Sequence, residues 1–367
     1  SSARKGVAKP EKGKLTQARR SSKRRPASAR PGAQKAEPSA SVVDIFCGAG
    51  GLSHGFLQKG FQIAAGIDVD EDCRFAFEHN NAAPLIRRDI TQVTASDINK
   101  LFVPGRLKVL VGCAPCQPFS TYNQKNDDPK WQLLGRFGEL VVEVLPDIVS
   151  MENVPRLLDF KGGAVFDAFV AKLKAAKYHV VYDVLYGPDY GLAQTRSRLV
   201  LLASRLGPIS LPEKTHEAAH RTVKDEIGHL PYLSHGEVDA NDPMHRASSL
   251  SEKNEQRILS SKPGGTWRDW DQDLVTPCHT SESGRGYSSV YGRMLWTEPS
   301  PTITTQFFGF GNGRFGHPDQ PRALSLREGA LLQGFPPEYQ FTKPGQPLRF
   351  KAVGRMIGNA VPVKLGY

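Results

Sequence analysis

The chain predicts an α/β fold: a doubly wound, mainly parallel sheet accompanied by a smaller, irregular second domain. Three observations lead there. From Ser41 onward, short apolar runs alternate with helix-patterned segments of about ten residues. A glycine turn (Gly48, Ala49, Gly50, Gly51) joins the first strand to the first helix. Near Gly207 the texture changes to a stretch rich in His, Ser, Gly and Pro with few long apolar runs.

The elements follow in order. Residues 42–46 read as a strand, and residues 52–59 as a helix with Leu52, Phe56 and Leu57 on one side. Residues 61–67 form a second strand ending in Asp68, and residues 70–79 a helix. The apolar run 107–111 is a buried strand, followed by a polar loop over 121–130 and a helix over 133–145. Residues 147–151 make a strand that ends at Glu152, and 166–176 another helix. Residues 178–185 and 198–203 alternate or run apolar like strands. Four segments result: an arm 1–40, a sheet domain 41–206, an irregular domain 207–340, and a return to the first domain over 341–367. No internal repeat is present.

Composition narrows the function classes. The 367 residues carry a net charge of +11, but residues 1–40 hold 12 Lys/Arg against Glu11 and Glu37. That Pro-, Ala- and Ser-rich arm cannot build a core and is expected to be disordered. Two roles suit it equally: contact with nucleic-acid phosphates or a localisation signal at Lys23-Arg24-Arg25, or else a solubilising tail. The rest of the chain is nearly neutral, so charge alone does not argue for nucleic acid. No apolar run reaches the ~18 residues of a membrane span, and no secretory leader is visible. Five cysteines (Cys47, Cys73, Cys113, Cys116, Cys278) are an odd, sparse set that suits a reducing compartment. The expected location is the cytoplasm or nucleoid of a prokaryote, or the nucleus of a eukaryote, without secretion or membrane attachment.

The chemistry begins at Gly112-Cys113-Ala114-Pro115-Cys116-Gln117-Pro118-Phe119-Ser120. This turn follows the strand 107–111, so Cys116 sits just past a strand's C-terminal end, where open α/β sheets bind their ligands. Pro115 and Pro118 stiffen its presentation, and a thiol so placed is a candidate nucleophile. Cys113 and Cys116 also form a C-x-x-C, but no second Cys pair or suitably spaced His accompanies it, so no metal is expected. Cys113 is read as a small residue lining the loop.

Gly48, Gly50 and Gly51 allow close backbone approach to a ligand. The third glycine of G-x-G-x-x-G would fall at Ser53, and no Gly-Lys-Ser/Thr follows, so neither a dinucleotide fingerprint nor a phosphate loop is present. Asp68 ends the next strand, where an acid accepts hydrogen bonds from ribose hydroxyls. Asp89 suits an adenine amino group, with Ile90 as an apolar face. Together these favour an adenosine-bearing cofactor, and S-adenosylmethionine fits best.

With those residues placed, the chain resembles the DNA (cytosine-5) methyltransferases over nearly all of residues 41–363. Asp44-Ile45-Phe46-Cys47-Gly48-Ala49-Gly50-Gly51 is similar to the cofactor loop and Pro115-Cys116-Gln117 to the nucleophile loop. Glu152-Asn153-Val154 and Gln194-Thr195-Arg196-Ser197-Arg198 are similar to the catalytic-support motifs. The segment Arg322 through Pro336 and the run Gly358-Asn359-Ala360-Val361-Pro362 are similar to the closing motifs. The resemblance implies a Rossmann-like, class I S-adenosylmethionine-dependent methyltransferase with a smaller target-recognition domain. It also implies duplex DNA in the cleft, with one cytosine flipped out. Phe46, Val69, Pro115, Asn359 and Val361 join the cofactor site on this basis.

Cytosine C5 is a poor nucleophile until a thiolate adds at C6, which makes C5 enamine-like. Cys116 supplies that thiolate, helped by a neighbouring positive field. The Glu152 carboxyl suits N3 and the exocyclic amine, carrying a proton when it donates to N3. By alternation Arg196 and Arg198 share a face and Gln194 joins them, and the resemblance places Arg198 near O2 of the base with Arg196 bracing the site. The loop carrying Ser120, Gln124, Lys125 and Asn126 is expected to close over the extruded base. Arg268, Arg285, Tyr287 and Arg293 interleave basic and aromatic types suited to reading DNA, and Thr302 and Thr304 suit a phosphate.

Two rival readings stand beside this one: cytosine-5 methylation of a structured RNA such as tRNA, and a catalytically silent DNA-binding module. In the resembling family Asn359 and Val361 open a final helix, for which no room remains before Tyr367. The expected state is a monomer, unless a partner supplies that helix. A cognate restriction endonuclease is a further expected partner.

Overall fold

The computed structural model describes residues 39–116, 129–282 and 284–367. The loop residues Ser120, Gln124, Lys125 and Asn126, and the arm up to residue 38, lie outside the described residues.

Seven strands form the main sheet: β1 (Ala40–Ile45), β2 (Gln62–Asp68), β3 (Leu85–Arg87), β4 (Leu107–Gly112), β5 (Ile148–Asn153), β6 (His179–Tyr186) and β8 (Ser197–Ser204). Their order is β3-β2-β1-β4-β5-β8-β6. The first five run parallel, and β8 is antiparallel to both β5 and β6. The mainly parallel sheet expected from the alternating pattern is therefore present. Its strand order reverses between β1 and β4, which opens a crevice beyond their C-terminal ends.

Alternation along the strands, broken by a register shift in β2 between Ile63 and Ala65, divides the core into two layers. Val42, Ile63, Val109 and Val111 pack on one face, while Val43, Ile45, Ile67, Leu110 and Val149 pack on the other. The first face takes Leu52 of α1 (Gly51–Gln58) and Phe77 of α2 (Arg74–Asn81). The same face takes Leu331 of α9 (Leu326–Leu332) and Ile357 of α10 (Phe350–Asn359). The second face takes Ile98 of α3 (Ala95–Leu101), Phe137 of α4 (Gln132–Val144) and Phe169 of α5 (Ala164–Ala175). Burial on both faces explains why these strands read as continuous apolar runs.

Local chemistry sets the boundaries. The expected helix 70–79 divides, because the Asp70 carboxylate accepts from Asp72 N–H and caps a short 3-10 turn (Glu71–Cys73) ahead of α2. Helix α3, unforeseen in the sequence, carries a Thr94/Asp97 capping box.

Beyond β8 and before α9 the chain forms short elements: α6 (Val223–Ile227), α7 (Glu252–Ser260), α8 (Pro277–Thr280), and the two-residue strand β9 (Ser300–Pro301), which pairs in parallel with β7 (Gln194–Thr195), the short strand just ahead of β8. Among the described residues no helix is long and apolar enough to cross a membrane. The end of the chain departs from expectation. Asn359 closes α10 instead of opening a helix, and a final turn, α11 (Val363–Gly366), packs on α1. Gly55 and Gly366 make this possible, since a Cβ on either would run into backbone of the opposite segment.

Candidate active site

A cavity of about 910 Å³ occupies the crevice at the switch point. Phe46, Gly48 and Ala49 reach it from beyond β1, Asp68 and Val69 from the end of β2, and Pro115 and Cys116 from beyond β4. Asp89, Ile90, Asn359 and Val361 line it as well, as expected. Both Asp68 oxygens already accept backbone N–H groups, Oδ2 from Gly48 at 2.8 Å and Oδ1 from Asp70 at 2.9 Å. Asp89 Oδ1 accepts from the Thr91 N–H and hydroxyl. Phe46 holds a left-handed backbone (φ 62°), a costly conformation for an aromatic residue and one that concentrates at ligand sites.

Two of the loop glycines do a different job from the one expected. Gly50 and Gly51 are absent from the cavity wall. A side chain at Gly50 would strike Asn81 and Phe77, and one at Gly51 would strike the Val361 carbonyl. Their small size brings protein segments together, and only Gly48 borders the cavity, with open space where its Cβ would stand. Residues the sequence did not single out also line it: Asp44, Trp131, Arg136, Glu139 and Met356. Asp44 is almost fully buried, its Oδ2 accepts the Ser53 hydroxyl at 2.6 Å, and its Oδ1 has no partner. Burial pushes this carboxyl up to about 7. An adenosine-bearing sulfonium cofactor suits this donor set, with free acceptors at Asp44 and Asp89 and apolar walls from Phe46 and Ile90.

Strand register assembles the chemistry beside this cavity. Gly112 pairs with Met151, which sets Cys113 next to Glu152. Glu152 pairs with Val200, so Arg198, two residues before Val200, faces the same side. Arg198 Nε stands 2.9 Å from Glu152 Oε1, and the Cys113 thiol donates to Oε2 at 2.8 Å. Asn153 Nδ2 donates to the Ala114 carbonyl at 3.1 Å, tying this strand end to the cysteine loop. The half-buried Cys116 thiol is pushed up by burial, against the pull of the Arg198 and Arg196 guanidinium groups. The expected positive field is present, but burial outweighs it.

The support motif divides. Gln194 joins Arg196, accepting from its Nη1 at 3.5 Å, while no hydrogen bond links it to Arg198 among the described residues. Its amide donates to the Leu332 carbonyl and Gln333 Oε1, and accepts from the Ile303 N–H. Arg196 is buried and reaches the Ile303 and Ala360 carbonyls at 3.4 Å. Burial, then Arg198, lower its guanidinium to about 10.

Among the expected DNA-facing residues, Arg268, Arg285 and Tyr287 are exposed, and Arg268 donates to the Arg285 carbonyl at 2.8 Å. Arg293 is a correction. It is buried, with its guanidinium donating to the carbonyls of His317, Ser261 and Pro318, which leaves it no reach toward DNA. The Thr302 hydroxyl donates to the Thr195 carbonyl, whereas Thr304 is exposed.

A doubly wound sheet with an adenosine-sized crevice at its switch point, flanked by a thiol and a carboxylate–guanidinium pair, defines the class I S-adenosylmethionine-dependent methyltransferases. The profile of the C-5 cytosine-specific DNA methylases matches residues 40–367, and the chain belongs to that family. It is an S-adenosylmethionine-dependent enzyme that methylates cytosine C5 in DNA. M.HgiDII, a Type II methylase of Herpetosiphon aurantiacus, is 51% identical over 328 residues, covering 89% of this chain and 92% of that protein. The Type II methyltransferase M1.HphI of Haemophilus parahaemolyticus is 29% identical over 333 residues, covering 88% and 84%. A DNA modification methyltransferase encoded within an E. coli prophage shares the fold, with a TM-score of 0.70 at 21% identity, covering 89% of this chain and 96% of that one.

Proposed function

We propose that Cys116, Glu152 and Arg198 carry out the transfer on a flipped cytosine of duplex DNA, within a specific sequence context. The observation that carries this reading is the Glu152 carboxylate held beside the Cys116 loop between Cys113 and Arg198. The Cys116 thiolate forms a bond to C6, and the electron pair moves toward C5 as Glu152 supports N3 and the amine. Arg198 offsets charge gathering at the base. S-adenosylmethionine, when bound, would supply an electrophilic methyl group to C5, the S–CH3 bond breaking to leave S-adenosylhomocysteine. A base then removes the C5 proton, the Cys116–C6 bond breaks, and the 5,6 double bond re-forms.

Arg196 and Gln194 act as braces in this reading. The segment 207–340 serves as the recognition domain, with Arg268, Arg285, Tyr287 and Thr304 toward DNA. Asp68, Asp89, Phe46, Ile90 and Asn359 hold the cofactor. The Type II character of M.HgiDII favours a cognate restriction endonuclease and a location beside the chromosome. The monomer is the working form.

The test is methyl transfer from labelled S-adenosylmethionine to duplex DNA and to total tRNA, followed by trapping on a 5-fluorocytosine duplex. Transfer to DNA with an adduct lost in Cys116→Ala supports the assignment. Transfer to tRNA alone, or an adduct that survives Cys116→Ala, overturns it.

A further inference from the structure

We propose that Cys113 is a positioning residue, its thiol proton holding the Glu152 carboxylate in the orientation from which it meets the base. The inference rests on the role given to Glu152 above and assigns a task to a cysteine that the reaction itself does not require.

The carboxylate has two oxygens and they are treated differently. Oε2 accepts from the Cys113 thiol at 2.8 Å. Oε1 sits against the Arg198 charge but accepts no hydrogen bond, and it is out of contact with solvent. The Cys113 thiol is therefore the one hydrogen-bond donor on this carboxylate among the described residues, and Oε1 is left as the open acceptor. A buried acceptor without a donor is costly unless something later fills it, which a base amine or ring N–H does.

Sheet geometry makes the contact rigid. Cys113 follows directly on β4 and Glu152 lies within β5, with Gly112 and Met151 in register. The pair is tied again one residue further on, by Asn153 Nδ2 to the Ala114 carbonyl. Burial, reinforced by the Glu152 charge, keeps the Cys113 thiol well above the ordinary thiol range. It stays protonated, a donor and no rival to Cys116 as nucleophile. A group held in place before the substrate arrives spares the site that reorganisation during the reaction.

The experiment compares Cys113→Val, which removes the donor and is somewhat larger than cysteine, with Cys113→Ser, which keeps a donor. Cys113→Ala is a second donor-free variant that guards against overpacking. Single-turnover methyl transfer to duplex DNA is read together with the dissociation constants for DNA and S-adenosylmethionine. Valine and alanine should each slow transfer about ten- to a hundredfold, the loss of one hydrogen bond to a charged group, with both binding constants nearly unchanged. Serine should recover most of the rate. In a Glu152→Gln background, Cys113→Val should add less than about twofold, because both act on one group.

Native rates in Cys113→Val and Cys113→Ala overturn the proposal. So does a serine variant as slow as valine, or a full additional loss in the Glu152→Gln background. If Glu152→Gln itself transfers methyl groups at the native rate, the role of Glu152 fails and this inference fails with it. A crippled Glu152→Gln beside an indifferent Cys113→Val rejects the inference alone.

Discussion

Arg198 Nε lies 2.9 Å from Glu152 Oε1, yet its N–H does not point at that oxygen. The pair is matched in charge and unfinished in hydrogen bonding. Both side chains are largely buried, at 13% and 6% exposure, so the charges are weakly screened and the pairing matters to fold and reaction alike. Replacing Arg198 with Met should slow single-turnover transfer by about 10²-fold or more, as removal of a charge-stabilising donor does. It should also cost about 3–5 kcal/mol in urea-unfolding stability by leaving Glu152 unpaired. S-adenosylmethionine binding, measured by calorimetry, should change little. Native turnover in Arg198→Met would remove this residue from the reaction.

Cys116 gives a pH signature in the enzyme without DNA. Burial raises its thiol and Arg198 pulls it back, so thiolate formation lies above the ordinary thiol range and reactivity rises with pH. Alkylation of the Cys116 peptide by iodoacetamide, followed by mass spectrometry, should increase through a midpoint above that of a free thiol such as N-acetylcysteine measured alongside. Arg198→Met should carry the midpoint higher still. A Cys116 midpoint below that of the free thiol would contradict the dominance of burial.

Gly51 joins the first and last motifs. A methyl group there would strike the Val361 carbonyl, and Val361 lines the cofactor cavity. Gly51→Ala should therefore weaken S-adenosylmethionine binding at least tenfold and lower the unfolding temperature by several degrees, a displacement cost of about 1–3 kcal/mol. Gly60→Ala, with open space around its Cβ but a left-handed backbone (φ 85°), should affect stability and leave cofactor binding intact. Equal cofactor affinity in the two variants would refute the special place of Gly51.

Much of this was legible because the sheet is regular. Strands buried on both faces announce themselves as apolar runs, and residues at their ends (Asp68, Glu152, and Cys116 just beyond β4) are placed by the topology alone. What failed depends on contacts distant in sequence. Gln194, read by alternation as a partner of Arg196 and Arg198, does accept from Arg196, but its amide is also claimed by Leu332 and Gln333, more than a hundred residues away. Cys113 looked like a bystander because only β-sheet register reveals that it adjoins Glu152. Arg293 has the composition of a DNA contact, and nothing local shows that three carbonyls enclose it.

Arg293 and Arg285 therefore separate fold from recognition. Arg293→Ala should lower thermal stability by leaving carbonyls of Ser261, His317 and Pro318 without donors, while the choice of target sequence stays the same. Arg285→Ala and Arg268→Ala should leave the unfolding temperature nearly unchanged and weaken duplex binding. If each meets a phosphate, each should also reduce the slope of log affinity against log salt by about one. Fluorescence anisotropy over a salt series and a thermal melt read both. A DNA-binding loss in Arg293→Ala at full stability would reverse the assignment.

Acid should loosen the region around α9 through a buried cluster that the sequence does not advertise. Arg322 and Glu328 are inaccessible and doubly hydrogen-bonded, at 2.7 and 2.8 Å, with His317 Nε2 3.6 Å from Glu328. Burial on its own would raise the Glu328 carboxyl, but the Arg322 charge and hydrogen bonds win and hold it near 2. Burial lowers His317 to about 4. A carboxylate held below its unfolded value stabilises fully above about 4.5 and loses that contribution as pH falls toward 2. An imidazole held below its unfolded value of 6.5 adds a loss of its own as pH falls from there through 4. Both act in one direction, so urea stability should decline steadily from about pH 6.5 downward. Glu328→Gln should cost about 3–5 kcal/mol at neutral pH, because Arg322 is left charged and buried, and should make the decline below pH 4.5 shallower. A variant that keeps the native acid slope would show that protonation elsewhere in the molecule governs acid unfolding.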